Sequence, residues 1–200
     1  MVKAIINGRK TQTRRPISKR DNDSLNVCDH EFTVVWNTET MDYIRSSFRA
    51  GDILYVRETS CPLFLCIDEE SGYTDEVIEC SYRDEKFKRE IMAGDRRHVI
   101  AYKSDGTDDC FCDASTEDRG FKWVPSIHMP KWASRIKLRV KEVRAEYAEE
   151  ITEEDAKADG FENRKEFLAS FKAIYGRTDL LCWVIEFEVI EKRHLERTEK

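Results

Sequence analysis

Arg9, Lys10, Arg14, Arg15, Lys19 and Arg20 fall within twelve positions that contain no acid, interleaved with Thr11, Gln12 and Thr13. Cations separated by short polar side chains suit an anionic ligand, or a base or nucleoside held by hydrogen bonds. The plain alternative is a solvated basic edge in which the threonines are ordinary strand residues.

A second basic feature lies at Arg135, Lys137, Arg139 and Lys141, which alternate with Ile136, Leu138 and Val140. Period two makes a strand with one apolar and one cationic face. Evenly spaced cations suit phosphate contacts; cross-strand pairing with Glu186 and Glu188 is the competing explanation. Glu58 closes "LYVRE" and is a further carboxylate able to enter a site, or to pair with Arg57 or Arg15. His128 and Trp132, with Trp123 nearby, form an imidazole and aromatic ledge able to stack on a base, or simply a packed irregular segment. Cys61 and Cys66, with four residues between them, stand at the edge of zinc-knuckle spacing, and Cys110 and Cys112, with one, are too close for it; free thiols are the alternative. No metal or other cofactor is expected.

These residues sit in a 200-residue chain of net charge −6, and the run from Arg9 to Arg20 alone carries +6, leaving −12 for the remainder. Any nucleic-acid contact is therefore local, not a product of long-range attraction. There is no apolar run of about 18 residues and no secretory leader pattern. Seven cysteines, an odd count, disfavour a complete disulfide framework. The expectation is a cytoplasmic protein with reduced thiols and no membrane span.

The elements that must position these groups follow from patterning. Val2–Asn7 is predicted helical and stopped by Gly8, with Thr11–Arg15 extended up to Pro16. Asp21–Asn26 reads as a loop, Glu31–Trp36 as a strand, Thr40–Phe48 as a short helix and Ile53–Glu58 as a strand. Residues 62–121 read as an acidic insertion around one strand, His98–Lys103. Its acids Asp68, Glu69, Glu70, Asp75, Glu76 and Glu79 offer a face to a protein partner. Such a loop is expected to be peripheral, so deleting Asp68–Gly94 should leave a folded protein. Thr152 with Asp155, and Asn163 with Glu166, mark two helix starts. In the second helix, Phe167, Leu168, Phe171, Ile174 and Tyr175 share a face. Leu181–Ile190 is a final strand, and the tail 192–200 is charged. Ile136, Leu138, Val140, Trp183, Ile185 and Phe187 are expected in one core. The class is α+β, one domain over residues 1–191.

Three blocks carry a resemblance: "GRKTQTRR" (Gly8–Arg15), "GDILYVRET" (Gly51–Thr59) and "WVPSIHMPKWASRIKLRV" (Trp123–Val140), with "ITEEDAKADGF" and "WVIEF" completing the order and "HVIAYKSDG" matching a further strand and turn. Together they resemble the phage and prophage branch of the ASCH proteins, whose fold is similar to the PUA domain. The resemblance implies a β-pseudobarrel with flanking helices and a cleft that recognises a nucleoside or an RNA base. One bacterial branch removes the acetyl group from the exocyclic amine of acetylated cytidine. On that pattern Lys10, Thr13 and Asp159 take the catalytic positions, Arg15 is the motif arginine, and Asp159 stands where the branch has glutamate. A carboxylate one methylene shorter puts hydrolysis in doubt, since a displacement of about 1 Å costs roughly a hundredfold in rate. A non-catalytic RNA-binding or protein-adaptor module of phage origin is the alternative.

If Thr13 is a nucleophile, Lys10 is its base, with its pKa lowered by burial or by Arg9, Arg14 and Arg15, and Asp159 protonates the leaving amine. Strand alternation then predicts Thr13 and Arg15 facing the cleft, Lys10 reaching over its rim, and Arg9, Arg14, Lys19 and Arg20 outside steering phosphate.

Overall fold

A computed structural model describes residues 2–18, 22–27, 34–67, 74–79, 81, 83–93, 98–105 and 123–192. The architecture is mixed α+β with antiparallel sheets and few helices. The chain divides into two compact units, Met1–Leu54 with Ile136–Lys200, and Tyr55–Arg135.

The first unit is built on β10 (Leu181–Lys192), which lies between β1 (Gln12–Pro16) and β9 (Ile136–Tyr147), in a sheet of order β1-β10-β9-β5 with β5 at Ile53–Tyr55. The strands read at Ile53–Glu58, Arg135–Lys141 and Leu181–Ile190 all lie in this sheet, the first shortened to Ile53–Tyr55. Both faces of β10 are covered. Leu181, Trp183 and Ile185 pack on one side with Leu25, Val35, Val140 and Ala145. Leu180 and Cys182 pack on the other with Ile151, Phe167 and Phe171. Ile136, Leu138 and Phe187 are buried as expected, but of the six residues assigned to one core only Val140, Trp183 and Ile185 belong to this cluster.

Two helices lie over the second face. α3 (Glu153–Ala158) starts where Thr152 Oγ1 accepts from Asp155 N at 3.1 Å. α4 (Arg164–Tyr175) starts where Asn163 Oδ1 accepts from Glu166 N at 2.9 Å, and stops at left-handed Gly176. Both caps satisfy amides that have no helical partner. Ile174 departs from the expected face: it is 67% exposed, while Tyr175 takes the contact with Phe171, ring centres 4.5 Å apart.

A three-stranded sheet, β2 (Leu25–Val27), β3 (Val34–Asn37) and β4 (Asp42–Arg45), completes the unit. The helix expected over Thr40–Phe48 is therefore wrong, and the loop over Asp21–Asn26 contains a 3-10 turn and β2. The local cause is Asn37, whose Oδ1 accepts from Glu39 N and Thr40 N. This Asx turn leads into Met41 at φ +58° and folds the chain into a hairpin. Pairing then sets Ile44 opposite Val35 and against the core. Non-local pairing overrides a weak helical pattern here.

The second unit has its own sheet, β7-β6-β8, from β6 (Ser60–Ile67), β7 (Thr74–Glu79) and β8 (His98–Tyr102), together with α2 (Glu85–Ala93). The segment expected as a loop around one strand thus supplies three strands and a helix. Its cores are buried: Cys61, Leu63, Val99 and Ala101 in one, Phe87, Ile100, Tyr102 and Met129 in the other. Pro62 lies within β6, opposite Ile100 of β8 and just before the Leu63↔Glu79 start of the β7 ladder.

Candidate functional site

Lys10 is placed by the turn after α1 (Val2–Ile6). Gly8 stands at φ +71°, and the amides of Arg9 and Lys10 both donate to Ala4 O. Thr11 N then donates to Ala158 O at 2.8 Å, which ties β1 to the end of α3. The Lys10 side chain enters this seam and is buried. Its Nζ donates to the Asp159 main-chain carbonyl and stands 3.3 Å from Asp159 Oδ1. Asp159 caps the C-terminus of α3 and is only 2% exposed. Gly160, at φ +89°, leaves room for the lysine stem.

The expected facing of β1 is reversed. Gln12 and Arg14, not Thr13 and Arg15, share the side of Asp159. Gln12 Nε2 donates to Asp155 O at 2.9 Å and Oδ1 at 3.1 Å, and reaches Asp159 Oδ2 at 3.4 Å. Arg14 donates through Nη1 to Asp159 Oδ2 and through Nη2 to Glu146 at 3.0 Å and Asp155 at 3.2 Å. Register explains the reversal. Thr13 and Arg15 pair with Ile185 and Trp183, whose side chains belong to the apolar core face, and paired residues share a face. Thr13 Oγ1 accepts from Arg15 Nη1 at 2.7 Å. Arg14, expected outside, is buried. Arg9 is exposed, and Lys19 and Arg20 lie outside the described residues.

The same sheet face continues the network. Arg144 on β9 pairs with Glu146 and with Glu186 on β10. Burial pulls its pKa down, but the hydrogen bonds to Glu146 and Glu186 outweigh that and raise it. For Lys10 the balance goes the other way. Desolvation lowers its pKa below the ordinary 10.5, and the charge and hydrogen bond of Asp159 only partly oppose this. Arg14 Nε is buried without a partner among the described residues, with its guanidinium carbon 5.7 Å from the Phe167 ring centre. The sequence reading missed Gln12, Glu146, Asp155 and Arg144. The alternation that places Gln12 and Arg14 together was visible; which side faced α3 was not.

The basic strand is mostly neutralised. Lys137 pairs with Glu191 at 2.6 Å and Arg139 with Glu188 at 3.1 Å. Lys141 is exposed, with no ion pair among the described residues. Arg135 is not on that face at all. It belongs to the second unit, buried at 5% exposure. There it donates to Glu58 at 3.0 and 2.9 Å and to Asp105 at 2.6 Å twice, with its guanidinium carbon 4.0 Å from the Tyr102 ring centre. Burial pulls the Arg135 pKa down, and the hydrogen bonds to Glu58 and Asp105 more than offset it. Glu58 therefore pairs with neither Arg57 nor Arg15; it also accepts from Ser104 Oγ at 2.6 Å. His128 is exposed on a 3-10 turn, whereas Trp132 packs beside Phe87, ring centres 6.5 Å apart, as part of a core.

An open groove of about 430 Å³ in the first unit runs beside the Lys10 seam, lined by Gly8, Lys10, Thr11, Lys141, Phe187 and neighbouring β10 residues. Among the described residues no group of histidine, cysteine and carboxylate side chains is arranged for a metal ion. Cys61, Cys66 and Cys182 form no disulfide among the described residues; Cys110 and Cys112 lie outside the described residues, as do Asp68, Glu69 and Glu70. Asp75, Glu76 and Glu79 fall on β7. Among the described residues no helix is long and apolar enough to cross a membrane. The chain matches no family model, no curated protein and no solved structure.

Proposed function

We propose that the protein is a PUA-like domain of the ASCH type, with a β-pseudobarrel in its first unit, that recognises a nucleoside or an exposed RNA base. The observation that carries this reading is the meeting of Lys10 and Asp159, 149 positions apart. These are two of the three positions that the resemblance of "GRKTQTRR" and "ITEEDAKADGF" marks as functional. The adjoining groove has the volume of a small-ligand site. Gln12 and Arg14 hold the carboxylates that position Lys10, so the inner cations of the basic run act on the site's geometry and do not contact solvent.

Hydrolysis of an acyl group from the cytidine amine is the second reading, favoured by the lowered pKa of Lys10. A lowered pKa raises the share of the lysine able to accept the proton of a hydroxyl nucleophile. Thr13, on the opposite face of β1, lends it no geometric support.

The test is a titration of the purified protein with cytidine, acetylated cytidine and other modified nucleosides, followed by calorimetry for binding and chromatography for deacylation. Wild type binds at least one of them, and Lys10→Met, verified as folded by its melting curve, weakens binding at least tenfold. Deacylation that disappears in Lys10→Met selects the enzyme reading, and binding without turnover selects recognition alone. A panel with no ligand bound overturns both.

A further inference from the structure

The second unit carries a cationic and aromatic strip that the site above does not use. Ser60 and Val124 form an antiparallel bridge, exchanging hydrogen bonds of 3.2 and 2.9 Å. Counting away from this bridge in antiparallel register sets Arg57 opposite Ile127, and Arg57 Nη1 donates to Ile127 O at 2.9 Å. Its Nη2 donates to Tyr55 Oη at 2.8 Å, and its guanidinium carbon lies 5.4 Å from the Tyr55 ring centre. Lys131 Nζ approaches the same ring at 6.0 Å. At the other end of the ribbon, Lys103 Nζ stands 5.8 Å from the Trp123 ring centre. Its amide donates to Thr59 O at 3.0 Å, which fixes it beside the bridge.

Arg57, Lys103 and Lys131 are all exposed, and none has a carboxylate partner among the described residues. Arg57 differs from an ordinary solvated arginine. Two neutral acceptors and a ring hold its guanidinium, while three of its five N–H donors remain unspent among the described residues. The ordering entropy that a flexible arginine loses on binding an anion is therefore already lost. By the same count Trp123 lies opposite Cys61, six positions along the chain from Tyr55, so the two aromatic stations are spread over roughly 20 Å of ribbon.

We infer that this strip, Tyr55–Arg57 with Lys131 at one end and Trp123 with Lys103 at the other, contacts the sugar–phosphate backbone of a single-stranded nucleic acid. The cations take phosphates, and the half-buried rings offer edges for bases; sequence-tolerant strand binding combines these two features. An acidic peptide would use the cations and leave the rings idle. The inference goes beyond the reading above and rests on it for the kind of ligand, adding a strand-binding surface in the second unit.

The experiment is fluorescence anisotropy with labelled twelve-nucleotide single-stranded RNA and DNA at several salt concentrations. The proteins are wild type, Arg57→Ala with Lys131→Ala, and Arg57→Lys. Nucleoside calorimetry runs in parallel, and a melting curve is taken for each protein. Wild type binds RNA or DNA, and the comparison of the two says which. The double variant loses at least tenfold, with a salt slope shallower by about two, one for each phosphate contact removed. Arg57→Lys keeps the charge, loses the fork, and falls between them. Full binding by the double variant overturns the inference, and so does equal, strip-dependent binding of polyglutamate. Nucleoside binding at Lys10 without strand binding overturns the inference and leaves the earlier reading intact. Strip-dependent strand binding without nucleoside binding does the reverse.

Discussion

Lys10 Nζ stands 3.3 Å from Asp159 Oδ1, and both side chains are almost wholly buried. Arg14 holds the other carboxylate oxygen. One carboxylate thus serves two cations; removing it takes the carboxylate from Lys10, while Arg14 keeps Glu146 and Asp155. Asp159→Asn should cost about 3–5 kcal/mol. A urea melt showing a loss under 1 kcal/mol would mean that water reaches the seam and the pair is not a structural centre.

Lys10 also gives stability a pH dependence of known sign. Its folded pKa is depressed, so below the ordinary 10.5 the unfolded chain binds the proton more tightly. The lysine's contribution is fully present above 10.5 and is lost as pH falls through the lowered folded value. Between neutral pH and about pH 10, wild type should gain stability relative to Lys10→Met. Urea titrations of both proteins at the two ends of that range measure the gap. An unchanged gap would contradict the desolvation argument.

A Cβ at position 160 would lie 3.2 Å from Lys10 Cβ and 3.3 Å from Lys10 Cδ, at a backbone φ of +89°. Gly160→Ala should therefore destabilise by about 1–2 kcal/mol, from left-handed strain and crowding together. It should also weaken any nucleoside affinity that depends on Lys10. Gly176→Ala is the control: it bears left-handed strain with open space around it, so it should lower stability without touching affinity.

Arg135 separates a buried cation from its exposed neighbours on the same stretch of chain. Arg135→Ala leaves Glu58 buried and without its cation, at a cost of about 3–5 kcal/mol. Arg139→Ala removes a half-exposed pair with Glu188, worth about 0–1 kcal/mol. Calorimetric melting of the two variants checks the contrast. Comparable losses would show that strand position, not burial, sets the cost.

Deleting Asp68–Gly94 removes α2 and with it Phe87, which is 1% exposed in a core with Ile100, Tyr102 and Met129. The peripheral-loop expectation is thereby reversed: the deletion should abolish the second unit's cooperative melting. Phe87→Ala alone should cost about 3–5 kcal/mol. A deletion protein that melts like wild type would show the core to be dispensable.

Local signals in this chain were legible wherever a short-range rule governs. Gly8 and Gly176 stop helices because left-handed backbone suits glycine. Thr152 and Asn163 cap because their side chains reach an amide three residues on. The alternation of Ile136, Leu138 and Val140 makes a strand whose inner face must be buried. Periodicity also set Gln12 with Arg14, and Thr13 with Arg15, on opposite sides of β1. It carries no information about which side meets α3, because both sides of that sheet are covered. Only the β1–β10 register, Thr13↔Ile185 and Arg15↔Trp183, decided that Arg14 is the buried arginine of that strand. The same holds for Arg135, one residue before β9, whose partners Glu58 and Asp105 lie 77 and 30 positions away. Side-chain type and spacing are local properties. Desolvation, which turns a surface arginine into a buried one and lowers the pKa of a lysine, depends on what the rest of the chain packs against it.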